Sequence, residues 1–84
     1  MSLKKYRSDI DQIDQKLLEL LNSRADIAQK IGREKSRADM PVVNQKREQD
    51  ILHRMVGLNP GPLKDRDIID IYKQIIAACR EIQN

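Results

Sequence analysis

Apolar residues recur along the first third of the chain at Leu3, Tyr6, Ile10, Ile13, Leu17, Leu20 and Leu21, then Ile27, Ala28 and Ile31. The steps are of three and four residues, with Ser, Asp, Gln, Lys and Glu between them. This is the period of one helix face, sustained over about four heptads. Nothing interrupts it before Pro41, so the pattern predicts a helix over roughly residues 3–36, about 50 Å long at ~1.5 Å per residue. The segment "SRADMPVV" reads as a connection, because Pro41 lacks a backbone donor and disfavours a helical Met40. Asn44 is placed to cap a second helix over about 45–56, whose apolar stripe is Ile51, Leu52, Met55 and Val56. The glycines and prolines of "GLNPGP", 57–62, read as a turn. Ile68, Ile71, Tyr72, Ile75, Ile76, Cys79 and Ile82 then mark one face of a third helix, about 64–82. The pattern describes an all-α chain, with residues 1–84 as one domain.

These lengths do not close into a compact monomer. Two short helices cannot cover the whole stripe of a ~50 Å helix. An uncovered row of Ile and Leu would be a large apolar patch, which soluble monomers avoid. A second copy resolves the mismatch if two long helices run antiparallel and each chain's short helices cover the other's ends. The expectation is an intertwined antiparallel homodimer.

Several charges fall where this rhythm calls for aliphatics. Positions 3, 10, 17, 24 and 31 repeat every seven residues and read Leu, Ile, Leu, Arg, Ile. Lys35 lies eleven residues after Arg24, and steps of ~100° bring it within about 20° of the same direction. Between them sit Ala28 and Gly32. Long cation, small, small, long cation describes a cavity with a positive group at each rim. Gly32, which costs on the order of 1 kcal/mol in a helix interior, suggests open space or a close approach there. On the second helix Glu48 is in phase with Ile51, Leu52 and Met55, beside Arg47. On the third, Gln83 follows Tyr72, Ile76 and Cys79 at helical spacing. Arg7 flanks the stripe near the start of the first helix.

Each has an ordinary explanation alone. Arg24 could snorkel from a core edge. Lys35, like Arg33 and Arg37, matches the negative end of the helix dipole, and Glu48 the positive end of the next. Cys79 reads as a small core residue, and His53, the sole histidine, as a polar-face residue. Together, on three helices, these charges would be unstable without partners, and a bound dianion would supply them. Arg7 and Lys35 are 28 residues apart, about 42 Å along one helix, so Arg7 can serve only a partner chain's pocket.

Composition narrows the classes. There is no Trp or Phe, so the core is aliphatic, and charged residues are 35% of the chain with a net charge of only +3. The cations singled out lie in apolar phase, whereas phosphate backbones need a solvent-facing stripe, so no nucleic-acid partner is expected. Cys79 is alone, which excludes an internal disulfide and a cysteine metal cluster. There is neither a signal-like run nor a membrane-length apolar stretch, and the expected location is cytoplasmic, away from membranes.

The segments "YRSDIDQIDQKLLELLNSR", "IGREK", "PVVNQKRE" and "IYKQIIAACREIQ" closely resemble the all-helical chorismate mutases of the AroQ class. The resemblance covers essentially the whole chain. It implies the Claisen rearrangement of chorismate to prephenate in the shikimate route to Phe and Tyr, with no cofactor, metal or covalent intermediate. It also implies a composite site, with Arg24, Lys35, Arg47, Glu48 and Gln83 from one chain and Arg7 from the other. By the same resemblance, Arg7 and Arg24 hold the substrate carboxylates. Lys35 and Gln83 donate to the ether oxygen. Glu48 accepts from the ring hydroxyl, while Arg47 adds positive field and orients Glu48. Asn44 stands at a loop position often filled by Asp, and Cys79 where many members carry a small hydroxyl residue beside a carboxylate.

Two other functions remain open on the sequence. Isochorismate pyruvate lyase shares this fold and much of this pocket, but the "Arg-Glu" and "Gly-x-x-Lys" patterns together favour the mutase. A regulatory or partner-docking domain, fused or bound to another aromatic-pathway enzyme, is the third reading.

Overall fold

Three helices account for most of the chain: α1, Leu3–Arg37; α2, Gln45–Leu58; and α3, Asp65–Ile82. The computed structural model describes residues 2–84, and no strand occurs among them. The molecule is elongated, 57 × 23 × 15 Å, because α1 runs for 35 residues and its partners are much shorter.

The end of α1 is fixed locally. Asp39 adopts a left-handed conformation (φ 54°) just beyond the helix. The Met40 N–H reaches back to the Lys35 carbonyl at 2.7 Å and the Asp39 N–H to Ser36 at 3.2 Å, so both late carbonyls are satisfied. Pro41 follows directly. At the start of α2 the Asn44 side chain accepts from the Arg47 N–H at 3.0 Å, as its position predicted. The second helix runs two residues past its expected end, through Gly57 to Leu58. Glycine weakens a helix without ending it. The stop comes at Asn59, which precedes Pro60 and is extended (φ −69°, ψ 114°). Lys64 is the residue before α3 rather than its first, with Asp65 and Asp67 in the opening turn, where negative charge suits the helix dipole.

Helix α3 packs against the C-terminal half of α1 on one side and against α2 on the other. The core is correspondingly small: Ala28 and Gly32 of α1 meet Ile76 and Cys79 of α3. Among the described residues, the N-terminal half of α1 has no packing partner. Ile10 and Ile13 are 57% and 56% exposed, and Leu3, Tyr6, Leu17 and Leu20 are exposed with them. Among the described residues, no helix is long and apolar enough to cross a membrane.

Candidate active site

The residues that break the apolar rhythm converge. A concave pocket of about 330 Å³ lies where the last turns of α1, the loop to α2, the first turns of α2 and the end of α3 meet. Arg24, Lys35, Asn44, Arg47, Glu48, Cys79 and Gln83 all line it, and Ile27, Ala28, Ile31, Ile51 and Ile76 supply apolar walls. Arg7 does not. It sits in a shallow depression with Leu3, Lys4, Ser8 and Asp11 near the start of α1, on the half of the helix that extends away from α3.

Gly32 does not line the pocket. A Cβ there would stand 2.7 Å from the Gln83 carbonyl oxygen and 2.8 Å from its Cα. Of the two uses a glycine suggested, close approach is the one the fold makes. Without a side chain at Gly32, the end of α3 lies directly on α1 and carries Gln83 to Lys35.

Lys35 Nζ donates to Gln83 Oε1 at 3.1 Å and to the Val42 carbonyl at 2.7 Å. A lysine only donates, so the Gln83 amide turns its oxygen to Lys35 and keeps its NH₂ as a free donor. The second bond ties the α1–α2 connection to α1. Asn44 spends its side-chain oxygen on the Arg47 N–H, so its contribution to the pocket is geometric as well as polar.

Glu48 is held by a residue the sequence reading passed over. Arg80 makes a two-pronged contact with it, Nε to Oε2 at 3.1 Å and Nη2 to Oε1 at 3.0 Å. The expectation that Arg47 orients Glu48 is therefore corrected. Consecutive helical side chains diverge by about 100°, so Arg47 is exposed while Glu48 turns toward α3. Arg80 lies in the last turn of α3, where a cation reads simply as a dipole match. No spacing signal ties it to Glu48, 32 residues earlier on another helix.

The electrostatic balance is one-sided. Arg24, Lys35, Arg47 and Arg80 line the pocket with Glu48 as the sole carboxylate, a formal excess of three positive charges. Glu48 neutralises Arg80. Among the described residues, Arg24, Lys35 and Arg47 form no ion pair. Half-buried Arg24 and Lys35, with Arg47 exposed at the rim, stand unpaired over apolar walls, an arrangement suited to a small ligand with two negative charges and a hydrophobic body.

Residues 6–84 match the family model described as chorismate mutase type II. A bifunctional chorismate mutase/prephenate dehydratase of Aquifex aeolicus is 38% identical, the match covering 96% of this chain and 24% of that protein. One of the same description from Pseudomonas aeruginosa is 34% identical over the same shares. The chain thus spans about a quarter of the length of these curated relatives. The structure of chorismate mutase (form II) from Thermus thermophilus superposes with a TM-score of 0.97 at 29% identity, covering 99% of this chain and 94% of that one. The fold is that of the all-helical chorismate mutases. This chain belongs to the chorismate mutase type II family.

Proposed function

We propose that the chain, as a single mutase unit over residues 1–84, converts chorismate to prephenate in a homodimer with two composite sites. The observation that carries this reading is the cluster of unpaired Arg24, Lys35 and Arg47 with Gln83 in one apolar-walled pocket. Chorismate has two carboxylates and an enolpyruvyl ether on a compact ring, which is the chemistry such a pocket recognises.

In this reading the fork-shaped guanidinium of Arg24 holds one carboxylate. Arg7 of the second copy reaches over the pocket to the other, since the length of α1 keeps a chain's own Arg7 away. Clamping both folds the enolpyruvyl arm over the ring and sets the two carbons that bond near contact. The ether C–O bond then breaks as the C–C bond forms, and nothing leaves. Negative charge develops on the ether oxygen, where the Lys35 ammonium and the Gln83 NH₂ are the preorganised donors. Glu48 accepts from the ring hydroxyl, Arg47 adds positive field, and Cys79 and the Asn44 backbone flank the carboxylates.

The dimer rests on the uncovered half of α1. Its exposed Leu3–Leu21 stripe is long enough to pair with the same stripe of an antiparallel copy. The bifunctional descriptions of the relatives also make a dehydratase-bearing partner or fusion a reasonable natural context. The test is a metal-free assay of purified protein with chorismate and, separately, isochorismate, identifying each product. Prephenate from chorismate supports the mutase. Pyruvate from isochorismate with little prephenate would reassign the site to the lyase reaction.

A further inference from the structure

We infer that Arg80 is a positioning residue of the site, fixing the Glu48 carboxylate in the orientation from which it meets the substrate hydroxyl. The inference rests on the mutase reading and assigns a role to a side chain which that reading leaves unused.

Glu48 starts from the first turn of α2, where none of the helix's fourteen residues is fully buried. A glutamate there has three rotatable bonds and no neighbour on its own helix to hold it. Arg80 closes both oxygens in one planar fork, at 3.1 and 3.0 Å. Two parallel charge-assisted bonds fix the plane of the carboxylate as well as its place, which one ammonium would not do. Each oxygen retains a second acceptor direction, so Glu48 can hold Arg80 and still accept from a ligand. The pair is half-buried, with the two side chains 38% and 25% exposed. It is also the sole ion pair between α2 and α3 among the described residues. The contact therefore bridges the two helices at the pocket. It also leaves the three remaining cations of the pocket to the substrate's charges.

A positioning role has a signature that direct substrate binding lacks, because the effect of Arg80 must pass through Glu48. The experiment is a double-mutant cycle on kcat/KM for chorismate with Arg80→Met, Glu48→Ala and the double variant, with Arg80→Lys added. Circular dichroism and thermal unfolding of each variant verify that the helices persist. Losing a fork to a charged group corresponds to a fall of roughly 10-fold or more in kcat/KM for Arg80→Met. In the Glu48→Ala background the same change should cost less than about 2-fold, since there is no carboxylate left to orient. Arg80→Lys, which keeps the charge and loses the fork, should recover only part of the activity. Equal losses in both backgrounds would overturn the inference by placing Arg80 on the substrate itself. So would wild-type activity in a folded Arg80→Met protein. Absence of prephenate from the wild type would instead deny the mutase reading, so the two failures are distinct.

Discussion

Lys35 donates to the Gln83 side chain at 3.1 Å across the seam between α1 and α3, and the same ammonium holds the Val42 carbonyl at 2.7 Å. One residue thus joins the two proposed ether donors and anchors the connection that leads to Arg47 and Glu48. Lys35→Ala should therefore act in two ways. Loss of one preorganised donor at a developing oxyanion costs about 3–4 kcal/mol, a fall in kcat on the order of 10²- to 10³-fold. Release of Val42 should loosen residues 38–44 and raise KM. Steady-state kinetics beside a helical spectrum checks both parts, and near-wild-type kcat would place the ether-binding group elsewhere.

The proposed second donor governs the response to pH. An amide donates whatever the pH, so turnover should change little between mildly acidic and neutral conditions. Gln83→Glu removes that independence. An ionised carboxylate has no proton to give and would pair with Lys35 instead, so the variant's activity falls as pH rises through the titration of that carboxyl. A pH–rate profile of both proteins decides the matter. A steep fall in the wild type over the acidic-to-neutral range would remove Gln83 from the mechanism.

Much of this arrangement was legible in the chain, for identifiable reasons. Helical period placed the ends of the three elements to within one residue, except at Gly57 and Leu58, where glycine permitted what only Pro60 ended. Arg24, Lys35, Glu48 and Gln83 stood out because each occupies apolar phase, and the structure brings them to one pocket. What escaped was pairing between helices. Adjacency in sequence linked Glu48 to Arg47, whereas helix geometry turns those two apart and presents Glu48 to Arg80. Which cation faces which carboxylate depends on the rotation of α2 against α3, and no periodicity encodes it. The choice at Gly32 between cavity and close approach was likewise set by where α3 ends.

Gly32→Ala tests that close approach. The new methyl would meet Gln83 backbone atoms at 2.7 and 2.8 Å, which no rotamer change relieves. The end of α3 must move, carrying Gln83 from Lys35. Alanine's better helix propensity, worth about 1 kcal/mol, offsets part of the stability cost. The expected variant keeps a Tm near wild type while kcat falls roughly 10- to 100-fold, the usual penalty for a catalytic group displaced by about 1 Å. Full activity would mean that the position of Gln83 is not critical.

The composite site makes a sharper demand, because two inactive chains should repair one another. If Arg7 serves the partner's pocket, Arg7→Ala and Lys35→Ala each disable both sites of their own homodimers. A mixed dimer differs. One of its pockets carries both defects, while the other combines an intact Arg24–Lys35–Gln83 cluster with an intact Arg7 from the second chain. Refolding the two variants together at equal amounts gives about half mixed dimers, each with one whole site, and so about a quarter of wild-type activity. The companion variant Leu17→Glu puts a charge into the exposed stripe of α1, where Leu17 is 51% exposed in the single chain. It should yield monomers by sedimentation and little turnover, since burying an unpaired carboxylate between two copies costs several kcal/mol. Recovery in the mixture together with dissociation of Leu17→Glu would establish that each pocket is built from two chains. A mixture no more active than its components, from a protein that sediments as a dimer, would show that Arg7 has no place in the site.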